Sequence, residues 1–305
     1  MKSLKTPLRY PGGKSRACIK MECYFPDLRN YREYREPFIG GGSVALFIAK
    51  KYPSISIWVN DLYEPLYNFW SVLQSDGQEL SNTLNDIKNN NPDPSIDQIK
   101  FVKTKKEEDK NYDETPIYPA KKLFIDSINI INDSNQSNFD KAVAFYIVNK
   151  CSFSGLTENS SFSKQASISN FSFNGIEKLS HYSKLIENWK ITNLSYEELL
   201  TNWRDAFVYL DPPYDIKDNI YGRKGSLHKV FDHDNFVKQC DQFACDQLIS
   251  YNSDQLVRDR FKDWNAGEFD LTYTMRSVGE YMLDQEKRKE LLLFNYTIPS
   301  IQSHE

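Results

Sequence analysis

Apolar and polar positions along the chain fall into alternating strand-like and helix-like blocks. Residues 31–38 are rich in aromatic and apolar side chains and run straight into Gly40-Gly41-Gly42. Residues 43–49 then predict a buried helix opening directly on the glycines. Residues 55–59 read as a short β-branched strand ending at Asn60-Asp61, and residues 66–73 resume a helical pattern. Farther on, 121–128 and 139–150 read as helices. Residues 189–193, 206–210, 247–251 and 291–296 read as strands. The spacing of Ser195-Tyr196-Glu197-Glu198 suggests a capping box, and Ser253 is placed to cap a helix through Phe261. This order, strand-glycine-helix-strand-acid and then more strands, predicts an α/β protein built on an open, nucleotide-binding sheet.

The middle of the chain departs from that rhythm. From residue 78 to 137 the composition shifts to Asn, Asp and Lys with few strand signals. Ten serines then lie between Ser152 and Ser183, interleaved with Phe153, Leu156, Phe162, Ile168, Phe171 and Phe173, which is too apolar for a plain linker. Residues 76–185 therefore read as an insertion of helices plus an irregular or hairpin-like lobe. Residues 1–75 and 186–305 supply the sheet. No internal repeat of fixed period is visible.

Composition narrows the class without naming it. The 305 residues are 40% hydrophobic, 26% charged and 14% aromatic, with a net charge of -4, which suits a folded domain rather than a disordered chain. No apolar run approaches the ~20 residues that span a bilayer, and the basic N-terminus lacks the apolar stretch of a secretory signal. Cys18, Cys23, Cys151, Cys240 and Cys245 include no C-x-x-C pair, so reduced thiols in the cytoplasm are expected, with no metal site. Charge is unevenly placed: residues 1–35 hold nine Lys/Arg against three acids, and Lys217, Arg223, Lys224 and Lys229 form a second cluster. Such clusters suit a polyanion, although charge runs are commonly just solvated faces.

Three motifs carry chemistry. Asp211-Pro212-Pro213-Tyr214 follows a buried strand, and two prolines force the backbone out of the sheet there. An acid, free carbonyls and an aromatic ring are thus delivered to the carboxyl edge where α/β sheets bind ligands. An exocyclic adenine amine is a poor nucleophile because its lone pair is delocalised into the ring. Asp211 and the Pro212 carbonyl can accept its two N–H bonds and aim the lone pair at a methyl group, while Tyr214 offers a stacking face to a base taken out of its helix. The second motif is Phe38-Ile39-Gly40-Gly41-Gly42 with Asp61 placed 21 residues after Gly40, a spacing that suits a ribose-holding acid. In the third, Tyr10-Pro11-Gly12-Gly13-Lys14-Ser15, a phosphate-binding loop is excluded. No glycine stands at the first position of such a loop, and no apolar strand precedes it.

In this order the motifs resemble the Dam-like class of DNA adenine N6-methyltransferases, from Leu8 to Tyr296. Tyr10 to Lys14 is similar to the family's W/Y-x-G-G-K motif, and Glu36-Pro37-Phe38-Ile39-Gly40-Gly41-Gly42-Ser43 to its E-P-F-x-G-x-G-S loop. Asn60-Asp61 matches its ribose-binding acid, Asp211 to Tyr214 its catalytic motif, and Ile249-Ser250-Tyr251-Asn252 its late strand followed by Asn. The resemblance implies a Rossmann-like S-adenosylmethionine-dependent methyltransferase sheet with an inserted, mostly helical target-recognition lobe. It places Asp211, Pro212 and Tyr214 in catalysis. Tyr10, Lys14, Phe38, Gly40, Asp61 and Asp211 would hold S-adenosylmethionine. Asn149, Lys150, Lys164, Asn170, Arg223 and Lys224 would meet double-stranded DNA.

The recognition lobe departs from the family. Members reading GATC carry an F-N-x-P-x-G turn, whereas here Gly155-Leu156 survives and the Ser/Phe-rich sequence after it lacks that turn. Two other readings compete: an RNA or protein methyltransferase, and a decayed enzyme that only binds DNA. The former shares the loop but typically carries N-P-P-Y, against which Asp211 counts; intact Lys14, Asp61, Asp211, Pro212 and Tyr214 count against decay. A monomer in a bacterial or phage-infected cytoplasm is expected, either solitary or paired with a restriction nuclease. The target sequence is open.

Overall fold

The computed structural model describes residues 5–10, 12–153, 155, 160–214, 231–271 and 288–298. The chain divides into two compact units. One comprises Met1–Thr6, Gly12–Glu64 and Asn188–Glu305, and the other Pro7–Pro11 and Pro65–Glu187.

The first unit is an α/β sheet. Its strands are β1 (Glu33–Glu36), β2 (Ser56–Asn60), β3 (Lys190–Thr192), β4 (Ala206–Leu210), β5 (Asp246–Asn252), β6 (Asn265–Leu271) and β7 (Arg288–Phe294). They lie in the order β3-β2-β1-β4-β5-β7-β6. Strands β1 to β5 are parallel, and β7 runs antiparallel between β5 and β6. The fold is a Rossmann-like α/β sheet, as the motif order implied. The continuous apolar run of β4 is explained by its place: every residue is buried, with parallel neighbours on both sides. From β1 the chain moves outward to β2 and β3, then returns to β4 on the other side of β1. Strand order reverses between β1 and β4, and their carboxyl ends open a crevice there.

Short helices flank this sheet: α1 (Cys18–Met21) and α2 (Ser43–Lys51) early in the chain, and two more after β4. The second unit is helical. Helix α3 (Glu64–Asn90) leads into it, followed by α4 (Ile96–Glu108), α5 (Pro119–Asn132), α6 (Asn138–Cys151), α7 (Lys164–Ser169), α8 (Phe173–Glu177) and α9 (Leu179–Leu185). Helix α3 is kinked at Asp76, and the next residue, Gly77, lies so close to α9 that a Cβ there would sit 2.3 Å from that of Ser183. Phe69, Phe145, Tyr146 and Phe171 stack through the core of this unit and are all fully buried. Phe162 joins by packing on Phe124, whereas Phe153 and Phe173 are exposed.

Helices α10 (His233–Gln242) and α11 (Gln255–Arg260) complete the sheet unit. Several expected local devices prove different. The Ser195 hydroxyl bonds the Glu197 carboxylate rather than a backbone amide, so no capping box forms and residues 196–199 make a single 3-10 turn. Asp254, not Ser253, caps α11 by accepting from Leu256 N, because Ser253 is drawn to Glu268. In the hairpin-like stretch the described residues show one bridge, between Ser152 and Phe162, and short helices follow it. No helix among the described residues is long and apolar enough to cross a membrane.

Candidate active site

At the carboxyl end of β2, Asn60 ties neighbouring strand ends together. Its amide donates to the carbonyls of Pro37 and Leu194, and its oxygen accepts from Leu194 N and the Thr192 hydroxyl. The next residue, Asp61, accepts from Gly40 N through one oxygen and from Tyr63 N through the other, both at 3.0 Å. Burial pushes the Asp61 carboxyl up to about 6, and the two amides only partly offset that. Gly40 and Gly42 have φ of +47° and +71°, a region in which a Cβ is strained, so the loop between β1 and α2 stays bare backbone beside this acid. Phe38 stacks on Tyr196 with ring centres 5.6 Å apart.

Glu36 is buried beneath that loop. It accepts from the Tyr34 hydroxyl at 2.7 Å and from the Ala45 amide of α2. Burial holds its carboxyl well above the ordinary range, and Asp211 nearby adds to the effect, so the uncharged acid is favoured.

Across the crevice, β4 delivers Asp211. The Lys14 ammonium, on a 3-10 turn, lies 2.9 Å from both of its oxygens. Ser250 of β5 donates to Asp211 Oδ1 at 2.9 Å. Because that spends the only Ser250 proton, Tyr209, 2.9 Å from the Ser250 hydroxyl, is the donor in their contact. Lys14 also donates to the Gly12 carbonyl and the Tyr214 hydroxyl, and lies 3.3 Å from Glu290 of β7. Burial alone would lower the Lys14 pKa. The Asp211 and Glu290 carboxylates outweigh it and hold the ammonium well above its usual value, so Lys14 is a fixed cation and not a base.

Tyr214 donates its hydroxyl to Glu290 and stacks on Tyr251, with ring centres 5.8 Å apart. Tyr251 in turn meets His233 Nδ1 at 2.7 Å. The ring set aside for a flipped base therefore already has an aromatic neighbour. Pro212 is buried, and no hydrogen bond among the described residues reaches its carbonyl.

The structure brings Lys14, Asp211 and Tyr214 into one cluster, and Gly40 and Asp61 into direct contact. Tyr10 is half-buried and belongs to the segment that clusters with the helical unit. Glu290 and Tyr209 were missed in the sequence: Glu290 reads as the polar start of an apolar strand, and Tyr209 as one more residue of another. Ser250 was visible only as part of the Ile249-to-Asn252 match.

The residues expected to read DNA are placed quite differently. Asn149 is fully buried: its amide donates to the carbonyls of Arg9 and Gly155 and accepts from Arg9 N, which leaves no edge for a base. Lys150 is 8% exposed with its ammonium 5.1 Å from the Tyr146 ring centre. Burial, then the Arg9 charge, lowers its pKa to about 7. Lys164 pairs with Glu114, which also draws Lys106 and Lys121, and the Asn170 amide bonds Ala166 O. Arg223 and Lys224 lie outside the described residues, as do Lys217 and Lys229.

The chain is 27% identical over 223 residues to Type II methyltransferase M.MjaIII of Methanocaldococcus jannaschii, covering 69% of each chain. It is 21% identical over 310 residues to Type II methyltransferase M1.LlaDCHI of Lactococcus lactis subsp. cremoris, covering 96% of each. The model of one family matches residues 10–275, a span that includes the glycine loop, Asp61 and Asp211. The chain belongs to that family, the D12 class of N6 adenine-specific DNA methyltransferases.

Proposed function

We propose that the protein uses S-adenosylmethionine to methylate the N6 amine of adenine at a specific sequence in double-stranded DNA. The observation that carries this is the pairing of a bare glycine loop and Asp61 with Asp211 at the two lips of one crevice. The donor set fits such a cofactor. Asp61 keeps acceptor capacity for a ribose diol beyond its two amides, and the Gly40–Gly42 backbone lets a ligand approach closely. Phe38 and Lys14 border the same edge, and Tyr10 is carried as a cofactor residue on resemblance alone. When bound, S-adenosylmethionine supplies a methyl group on a positively charged sulfur.

Asp211 and the Pro212 carbonyl accept the two N–H bonds of the adenine amine and orient its lone pair outward. Tyr214, held by Glu290 and Tyr251, forms a rigid wall for the base. Asp211 is the nearest acceptor for the proton the nitrogen later sheds, since Lys14 keeps its own. Raised burial makes the Asp61 role pH-dependent. The ionised carboxylate is the form that accepts both ribose hydroxyls, so cofactor affinity should fall as pH drops through about 6, by about tenfold per unit well below it. Calorimetric titration between pH 5 and 8 checks this; a flat profile removes Asp61 from the cofactor site.

The helical unit, residues 65–187, is assigned the reading of DNA sequence, with Lys164 and Asn170 its partly exposed candidates. Asn149 is reassigned to structure. Asn149→Ala should cost about 1–3 kcal/mol of stability, because it strands Arg9 and Gly155 backbone groups. It should leave the ranking of methylated duplexes unchanged. Thermal melting and a panel of short duplexes read both effects, and a reordered panel in a stably folded variant would return Asn149 to the DNA interface. A monomer, with or without a companion nuclease in the cell, accords with this reading.

A further inference from the structure

Five oxygens crowd the Lys14 ammonium: Gly12 O at 3.1 Å, both Asp211 oxygens at 2.9 Å, the Tyr214 hydroxyl at 2.8 Å and Glu290 Oε1 at 3.3 Å. An ammonium has three N–H bonds. It is therefore shared among more acceptors than it can serve at once, and can give one up without being left unsatisfied. The two acids differ in their setting. The Asp211 side chain is 24% exposed, whereas those of Lys14 and Glu290 are 3% and 1% exposed. Asp211 faces the crevice; Glu290 lies behind the lysine.

That arrangement bears on how Asp211 becomes available to substrate. A carboxylate offers about four lone-pair sites. Lys14 contacts both Asp211 oxygens, and Ser250 occupies a further site on Oδ1. An adenine amine donating to Asp211 competes with the lysine for those sites. Withdrawing a buried ammonium from its only acid would be costly. Here a second acid is already in reach, fixed by the Tyr214 hydroxyl and by the pairing of β7 with β5, in which Glu290 stands opposite Asn252.

We propose that Glu290 is a positioning residue for methyl transfer: it takes up the charge of Lys14 as Asp211 turns to the adenine amine. It touches neither substrate nor cofactor, and beyond anchoring the Tyr214 hydroxyl its charge acts through Lys14. The inference rests on Asp211 being the acceptor of the amine. Glu290 is a built-in second partner for a shared cation, and its negative charge is the property that matters.

A double-mutant cycle on the full chain tests this, with single-turnover methylation of a substrate duplex read for the wild type, Glu290→Gln, Lys14→Gln and the double variant. Single-turnover rates keep slow backgrounds measurable. Glu290→Gln is expected to slow transfer at least tenfold in the wild-type background, with S-adenosylmethionine affinity unchanged within about twofold. In the Lys14→Gln background, the same substitution should change the rate less than threefold. A loss of equal size in both backgrounds, or no loss in either, overturns the proposal, since a merely structural carboxylate would act without regard to Lys14. If Glu290→Gln fails to fold, Glu290→Asp takes its place. It keeps the charge but draws it back by one methylene, and its smaller loss must likewise vanish in the Lys14→Gln background. The Asp211 reading is judged separately by the Asp211→Ala rate. Additivity in the cycle while Asp211→Ala remains slow overturns the Glu290 role alone.

Discussion

Asp211→Ala is expected to slow methyl transfer by about 10²–10³-fold while leaving the fold intact. The magnitude is that of removing one preorganised electrostatic contact from a reacting group. The geometry explains why the loss should fall on the chemical step. Asp211 is held from two sides, by Lys14 at 2.9 Å and by Ser250 at 2.9 Å, so the only rearrangement needed when the amine arrives is the local shift of Lys14 toward Glu290. Folding should tolerate the change, because Lys14 retains Glu290, the Gly12 carbonyl and the Tyr214 hydroxyl. Cofactor affinity, thermal melting and single-turnover rate measured together separate these effects. A wild-type rate in a folded variant would remove Asp211 from the reaction.

The second large effect is expected at Asp61. Asp61→Ala should weaken S-adenosylmethionine by about 1.5–3 kcal/mol, the scale of hydrogen bonds to a charged group, or roughly 10–150-fold in Kd. Some of that loss comes through the loop, since Asp61 also accepts from Gly40 N and Tyr63 N and so fixes the backbone the cofactor meets. Asp61→Asn distinguishes the two contributions. Its remaining oxygen can accept from one of those amides, but it lacks the charge that favours two ribose hydroxyls. Calorimetry on both variants gives the answer: unchanged affinity in Asp61→Ala contradicts the ribose assignment. At saturating cofactor the transfer rate should recover, which sets Asp61 apart from Asp211.

The most legible parts of the chain were those in which the local sequence leaves little choice. Residues 206–210 are uninterrupted apolar positions followed by Asp-Pro-Pro, and they form a fully buried central strand stopping at Leu210. Glycines before residue 43 opened α2 as expected, with Gly42 in the left-handed region at its N-terminus. Strand β6 was not legible. Asn265-Ala266-Gly267-Glu268-Phe269-Asp270 carries no β-branched residue, and the strand exists because β7 pairs along its whole length. The serine-rich stretch misled for another reason. Ser163 and Ser172 are helix N-caps, accepting from Ala166 N and Gly175 N, so residues that read as loop in composition begin α7 and α8.

In the site, Asp211 and Asp61 stood out because a motif or a spacing marked them. Glu290 could not, since it meets Lys14 only through the β5–β7 register, 276 residues along the chain. The polar residues chosen as DNA readers show the limit of residue type as a guide. An asparagine in a mixed segment is equally suited to bonding adenine or to bonding a neighbouring backbone, and burial alone decides between them. Asn149 does the latter.

The most direct test of methylation at adenine N6 in DNA is nucleoside analysis of the product. The wild-type chain is incubated with isotopically labelled S-adenosylmethionine and a mixture of duplex DNA, RNA and protein acceptors, and the labelled nucleosides are resolved by mass spectrometry. The label should appear as N6-methyladenine in the duplex, confined to one sequence context, and should be absent from the parallel Asp211→Ala reaction. Label in cytosine, in RNA or in protein with none at adenine N6 of the DNA would contradict the account.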